Sequence, residues 1–397
     1  MRLALFTDTF APQMNGVART LGRLTAHLER RGIEHLVFAP ASPEEATTPP
    51  PAPEAPPLSL RPSPSVPFLL YPECRLALPN LLSIRQQLDR FRPDLLHLAT
   101  PFNIGLCGLR YARRRGLPHA ASYHTHFDRY LAYYGMAKAV PLYWRYIRWF
   151  HRSCGATFAP SRETLLALYR QGVGGLRLWT RGVDSELFHP AKRRAGLVRE
   201  RFGIAPDERI LLYVGRIAPE KDVATLAELL RRLPASREGR ARWLIVGDGP
   251  ALPELRAAAP DNAIFAGYRE GEELAELYAS ADLFVFPSST ETFGNVALEA
   301  MASGLPVIGA DAGGIRESVR HEATGLLCPP GDAAAFASAI ERLTAAPELA
   351  RRMGEQGRSH AVTRSWVSIF DELLEQYGEV IERSRHAEHA GRSYRTG

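Results

Sequence analysis

Two rhythms of apolar and polar positions alternate along this chain. In the first half, short β-prone runs (RLALFTD, HLVFAP, DLLHLA, HAASYH and ATFAPS) are separated by stretches with helical spacing. The second half repeats the scheme with RILLYVG, ARWLIVGDG, NAIFAG, DLFVFPS and LPVIGAD. Near-continuous apolar strands with helices between them are the pattern of parallel sheets covered on both faces. Two such series predict two α/β domains, each a doubly wound parallel sheet. The strand pattern lapses at RGVDSELFHPAKRR, Arg181 to Arg194, so the first domain is expected over 1–182 and the second over 183–364. The last helical pattern, SWVSIFDELLEQYGEVIERS, has no strand after it, and 365–397 is read as a helix with a polar, frayed tail.

One segment breaks the rhythm. Eleven prolines lie between Pro40 and Pro67, and proline has no amide to give to a sheet. The segment 40–67 is expected to be a mobile, partly polyproline loop inserted in the first domain.

Composition narrows the class. The 397 residues are 45% hydrophobic and 23% charged, as in soluble globular proteins. The amino-terminal apolar run stops at Asp8, too short for a secretory leader, and no later run approaches the ~20 residues of a membrane span. A cytoplasmic protein is expected. Cys74, Cys107, Cys154 and Cys328 are scattered without a CxxC pair, which suggests reduced thiols rather than a disulfide framework. The net charge of +6 permits anionic partners without choosing among nucleic acid, lipid and phosphorylated small molecules. Only three of the 49 basic residues are lysines, Lys138, Lys192 and Lys221, so a lysine here is an informative choice.

Ligands of open α/β sheets bind beyond the carboxyl ends of the strands. After the first strand, Asn15-Gly16 opens a helix, whose amides suit an oxyanion such as phosphate; an ordinary Asn-Gly turn is the alternative. After RILLYVG come Arg216 and Lys221, a planar fork and a point charge that together can neutralise a diphosphate; two solvated surface charges are the plainer reading. After DLFVFPS, the amides of Phe293, Gly294 and Asn295 open a helix that is stopped by Gly304 and Pro306. Glu291 and Glu299 flank that opening. Carboxylates repel phosphate and accept hydrogen bonds from hydroxyls, so a ligand bearing both a diphosphate and hydroxyls, such as a nucleoside diphosphate sugar, satisfies every group. His124 and His126, two apart after HAAS, raise a metal pair; no third ligand or Asp-x-Asp motif accompanies them, and a hydrogen-bonding histidine facing the cleft between the domains is preferred to that or to a structural one.

These residues carry a resemblance. FAPQMNGV, SYHTH, GRIAPEKDV, VGDGP and ETFGNVALEAMASGLPVIGADAGG, in this order and with an E-x7-E spacing, resemble the retaining glycosyltransferases of family 4. PECRLALP, SYHTH and RLWTRGVDSELFHP are most similar to GDP-mannose-dependent α-mannosyltransferases and sulfoquinovosyl-diacylglycerol synthases. The resemblance implies the GT-B fold, two facing Rossmann-like domains with a cleft between them, the last helix returning to the first domain. It implies transfer of a hexosyl group, mannosyl or glucosyl, from a GDP- or UDP-linked sugar to a lipid or glycan acceptor, with an α-glycosidic product and without a metal or other cofactor. It implies roles for Gly16, Arg216 and Lys221 at the diphosphate, for Glu291 with the 293–295 amides at the sugar, for Glu299 at the ribose, for His124 beside the sugar, and for Gly247 and Tyr268 near the base. Asn15 departs from the family pattern by standing where many members have a second glycine.

RYARRRG and YWRYIRWFHR mix arginines with aromatics, which suits either peripheral contact with an anionic membrane or a partly buried helix with snorkelling arginines. Two rival readings stay open: a GT-B-like sugar-nucleotide epimerase, which needs no acceptor, and a basic nucleic-acid binder, for which no recognition motif is present.

Overall fold

A computed structural model describes residues 1–13, 15–41, 60–68, 71–133, 135–233 and 241–393. The first half runs β1 (Leu3–Phe6), α1 (Gly16–Arg30), β2 (His35–Pro40), β3 (Leu60–Ser63), β4 (Ser65–Phe68), β5 (Tyr71–Ala77), α2 (Leu81–Phe91), β6 (Leu95–Leu98), α3 (Asn103–Arg115), β7 (His119–Ser122), α4 (Phe127–Tyr133), α5 (Val140–His151), β8 (Ala156–Ala159), α6 (Arg162–Arg170) and β9 (Leu176–Leu178). The second continues with α7 (Ala195–Phe202), β10 (Arg209–Val214), α8 (Val223–Arg232), β11 (Ala241–Val246), α9 (Leu252–Ala258), β12 (Ala263–Gly267), α10 (Gly271–Ser280), β13 (Leu283–Phe286), α11 (Asn295–Ala302), β14 (Val307–Ala310), α12 (Ile315–Ser318), β15 (Gly325–Cys328), α13 (Ala333–Ala345), α14 (Pro347–Ala361) and α15 (Trp366–Ser393).

The strands form a seven-stranded sheet, β3-β2-β1-β6-β7-β8-β9, and a six-stranded sheet, β12-β11-β10-β13-β14-β15. Every pairing in both is parallel. Alternation along each strand explains the layers. Leu3 and Leu5 of β1 pack with α1 and α15 on one face, while Ala4 and Phe6 pack with α2, α3 and α5 on the other. The second domain has one continuous core around β10, β11, β13 and β14.

Helix α15 packs into the first domain. Trp366, Ile369, Phe370, Leu373, Tyr377, Val380 and Ile381 recur at helical spacing and join the cluster of Leu3, Leu5 and Phe158. Asp371 holds His27 of α1 at 2.8 Å, and Tyr377 hydrogen-bonds the buried His97. The chain thus crosses between the domains twice, and the crossings touch: Val183 donates its amide to the Arg364 carbonyl at 2.9 Å, and a Cβ on Gly182 would lie 2.8 Å from the Trp366 nitrogen.

The proline-rich segment needs correction in part. Residues 60–68 are not loop: Leu60–Ser63 pairs with β2, Pro62 opposite Ala39, and Ser65–Phe68 pairs antiparallel with β5. Strand β3 is the edge of its sheet, where a residue without an amide leaves no ladder bond unmade. Residues 42–59 of the segment lie outside the described residues. Cys107, Cys154 and Cys328 are free thiols.

Candidate active site

Two loops of the second domain are buckled together. After β10, Asp222 adopts a left-handed φ of 53°, and its carboxylate accepts from both the amide and the hydroxyl of Ser289, each at 2.7 Å. Thr290 donates to the Glu220 carbonyl at 2.6 Å. These bonds bring the loop after β10 against the loop after β13 and set Lys221 on Glu291 as an ion pair. Ser288 donates to the same carboxylate at 3.2 Å. Burial pushes the Lys221 ammonium down, but Glu291 beside it more than reverses this and holds the group well above its ordinary range. Arg216 pairs at 3.1 Å with Glu220, which is fully buried. Both cations expected at a diphosphate are therefore held by carboxylates of their own domain. Glu291, expected to accept from sugar hydroxyls, is in direct contact with Lys221, one of the two cations expected at the diphosphate.

The start of α11 is uncapped. Gly294 precedes it at a φ of 82° and offers no side-chain cap, and among the described residues the amides of Phe293, Gly294 and Asn295 donate to no protein acceptor. The backbone there is shaped by glycines: a Cβ on Gly314 would overlap the Cα of Phe293, one on Gly313 the carbonyl of Glu291, and the Gly314 amide donates to that carbonyl at 2.8 Å. Glu299, one turn into α11, is buried and accepts from the Tyr278 hydroxyl at 3.2 Å. Burial raises its pKa, while Arg19, Arg23 and Tyr278 oppose the rise.

The first domain meets this site through α1. Asn15 caps the helix, its side-chain oxygen accepting from the amides of Val17 at 3.1 Å and Ala18 at 2.9 Å. The free helix amides expected there thus shrink to that of Gly16, because the Asn15 carboxamide takes the next two. Arg19, one turn on, donates to the Tyr268 hydroxyl at 2.7 Å, and Tyr268 donates to Glu270 at 2.7 Å, so Tyr268 belongs to a clasp between the domains. Gly247 serves the backbone: a Cβ there would overlap the Gly215 carbonyl, and its amide donates to the Gly267 carbonyl at 2.9 Å. His124 is 8% exposed and takes a hydrogen bond on Nδ1 from Arg181 at 2.8 Å. His126 is held by Thr164 at 3.2 Å on Nε2 and lies 3.6 Å from Asp128 on Nδ1. Among the described residues no group of three or more His, Cys, Asp and Glu is arranged to hold a metal ion.

Sequence reasoning missed Arg19, Arg23, Arg181, Ser288 and the Asp222–Ser289 buckle. Arg19 alone left a trace, lying three residues after Gly16 and hence on the same helix face.

Two family models cover most of the chain: "Glycosyltransferase Family 4" matches residues 14–187 and "Glycosyl transferases group 1" matches 197–360. A GDP-mannose-dependent alpha-mannosyltransferase of Mycobacterium tuberculosis is 38% identical over 390 residues, 96% of this chain and 98% of that protein. The sulfoquinovosyl transferase SQD2 of Arabidopsis thaliana is 34% identical over 80% of this chain and 63% of its own length. Among solved structures, sucrose-phosphate synthase from Thermosynechococcus elongatus superposes with a TM-score of 0.78 at 24% identity, over 96% of this chain and 99% of that one, a likeness of fold. With parallel sheets of seven and six strands, a relative aligned from end to end and both family models in order, the chain belongs to the glycosyltransferases of family 4, with the GT-B fold.

Proposed function

We propose that the protein transfers a mannosyl-type hexose from a GDP-linked sugar to a hydroxyl of a lipid or glycolipid, with retention of the α configuration. The donor follows from the end-to-end likeness to a GDP-mannose-dependent enzyme. The observation that carries the chemistry is the meeting of Lys221, Glu291 and the uncapped start of α11 at one point of the cleft. A diphosphate entering there exchanges places with Glu291 on Lys221, and the carboxylate so released accepts from sugar hydroxyls, as the Phe293–Asn295 amides engage the same sugar. Glu299 accepts from the ribose diol, and the Gly16 amide reaches the diphosphate from the first domain.

In this reading the acceptor hydroxyl attacks the anomeric carbon on the face from which the diphosphate leaves. The carbon–oxygen bond to phosphate breaks, the bond to the acceptor oxygen forms, and the acceptor proton passes to the departing phosphate oxygen. Lys221 and Arg216 stabilise the charge gathering on the leaving group, in the place a divalent ion would otherwise take. Closure of the cleft completes the site, because α1 and the α11 loops belong to different domains.

The acceptor enters along the helical layer of the first domain. Leu78, Leu81 and Leu82 at the start of α2 and Leu142 at the start of α5 are exposed, Leu82 by 72%. Helices antiparallel to the strands begin at the carboxyl edge of the sheet, so these leucines flank the cleft. Trp149, 43% exposed, and Arg110, Arg113, Arg114, Arg145 and Arg148 extend the surface along α3 and α5. Apolar side chains beside arginines suit a peripheral site on an anionic membrane, and no described helix is long and apolar enough to cross one. Thermal-shift measurements with GDP-, UDP- and ADP-sugars test the donor, since a bound ligand raises stability by mass action. Stabilisation by UDP- or ADP-sugars and not by GDP-mannose would overturn it. Sedimentation with anionic vesicles at low and high salt tests the membrane contact.

A further inference from the structure

We infer that Arg181 is a positioning residue that fixes His124 as a neutral imidazole with its proton on Nε2, so that the ring presents an N–H donor to an oxygen of the sugar of the bound sugar nucleotide. The inference rests on the reading of the cleft as a nucleotide-sugar site. Alternation along β7 sends Ala120, Ser122 and His124 to the face of the sheet that carries α1 and α15, and Tyr123 to the opposite face. On that face His124 lies two residues beyond the strand, at the carboxyl edge where α1 also begins. Arg181 reaches it from the segment after β9. The guanidinium is 5% exposed and folds back on its own chain, donating to the carbonyls of Trp179 at 2.7 Å and Thr180 at 3.2 Å while lying 4.9 Å from the Trp179 ring centre.

Arginine has donors only. A nitrogen that receives one must be bare, so Nδ1 of His124 carries no proton and Nε2 carries the single one of the neutral ring. Burial first, then the Arg181 and His97 neighbours, hold the imidazolium form far below its ordinary range. Nε2 is itself buried and has no protein partner, and a buried donor left unmade is costly. Four other described imidazoles share that condition, those of His27, His35, His151 and His360. They lie in the closing turn of α1, at the first residue of β2, at the last of α5 and late in α14. The first three lie at the amino edge of the first sheet and the fourth belongs to a helix of the second domain; His124 is the one that follows a strand of the first sheet at its carboxyl edge. The anchor is also tied to the crossing between domains, because Gly182 and Val183 follow Arg181 directly and pack on Arg364–Trp366.

The test is long-range proton–nitrogen NMR of the labelled full-length chain, with His124 assigned by comparison with His124→Gln. In the wild type the ring should show a protonated Nε2 and a bare Nδ1 that do not titrate near neutrality. Arg181→Met should give mixed tautomers and a normal titration, and Arg181→Lys, which keeps a cationic donor, should restore the wild-type pattern. Addition of GDP-mannose should shift the Nε2 resonance more than GDP does. In kinetics, Arg181→Met and His124→Ala should each lower kcat/KM by about tenfold, the worth of one hydrogen bond, leave GDP affinity unchanged, and give no further loss when combined. A ring protonated on Nδ1, an unaltered tautomer in Arg181→Met, or multiplying losses in the double variant would overturn the proposal. An equal shift with GDP would overturn its ligand half. Absence of any nucleotide-sugar binding, with the tautomers as expected, would count against the function proposed for the cleft and leave the role of Arg181 standing.

Discussion

Lys221 and Glu291, 70 residues apart in sequence, form an ion pair at the meeting point of the loops after β10 and β13. The pair has two consequences. In the proposed reaction it stores the cation where charge develops on the leaving diphosphate, and it holds the Glu291 carboxylate in place until a ligand takes its position.

Replacing Lys221 by Ala should therefore lower turnover by ~2–4 kcal/mol in the barrier, by analogy with loss of one preorganised donor to an oxyanion. In rate this is about 30- to 1,000-fold. The variant also leaves the Glu291 carboxylate facing the diphosphate unneutralised, so Lys221→Ala combined with Glu291→Gln should bind the donor better than Lys221→Ala does. Near-normal single-turnover rates in Lys221→Ala would remove Lys221 from the mechanism.

The two glutamates should separate in calorimetry. Glu299→Ala is expected to weaken GDP and GDP-mannose alike, because ribose is common to both. Glu291→Ala should weaken GDP-mannose more than GDP, because its partner is the sugar. Equal losses for both ligands in both variants would contradict the assignment.

Glu299 also sets a pH dependence. Burial raises its pKa above 4.5, against the pull of Arg19, Arg23 and Tyr278. As pH falls, this carboxyl takes a proton sooner than an ordinary glutamic acid and loses acceptor capacity, so nucleotide affinity should fall on an acid limb that Glu299→Gln lacks. The effect on folding has the opposite sign: a carboxyl with a raised pKa contributes stability below its unfolded pKa that is lost as pH rises through the folded one. Arg23→Met removes an opposing charge and should move the acid limb to higher pH. Titrations of GDP between about pH 7 and about pH 5 would read both shifts.

Much of this architecture is legible in the sequence because buried parallel strands must be apolar on both faces. RILLYV and ARWLIV announce β10 and β11 for that reason. Strand β9 escapes because LRL is three residues long with a charge at its centre, and β15 because GLLC is short and opens on glycine. Strand β3 escapes because Pro62 argues against a sheet, a rule that an edge position relaxes. At the site, residues that follow strands directly, such as Arg216, Lys221 and Glu291, can be nominated from their place in the pattern. Arg19 and Arg181 cannot, since each acts on a residue brought near only by folding, 249 and 57 positions away. The pairing of Lys221 with Glu291 hides for the same reason: opposite charges on different loops carry no mark of contact.

Gly314 tests the shaping of the α11 loop. A Cβ there meets backbone, the Cα of Phe293, and not a movable side-chain tip. Gly314→Ala should displace the Glu291–Phe293 segment and cost about 1–3 kcal/mol, as overpacking does. A lower melting temperature together with weakened GDP-mannose binding is the expected pair of results, while Gly16→Ala, where a Cβ meets nothing within 4 Å, should leave the melting temperature nearly unchanged.

Asn15 offers the sharpest test of how α1 meets the donor. Its carboxamide holds the Val17 and Ala18 amides and is itself tied to Thr9 by a 2.7 Å hydrogen bond. Replacing a capping asparagine by glycine costs only a few tenths of a kcal/mol in helix stability, and it frees two amides at the end of α1 where the macrodipole favours an anion. If the diphosphate lies there, Asn15→Gly should keep the fold, lower the melting temperature slightly and tighten GDP binding, by up to about tenfold for one added charge-assisted bond. Weaker binding with an intact fold would mean that the Asn15 side chain itself touches the donor, and would move the diphosphate contact from the helix backbone to that carboxamide.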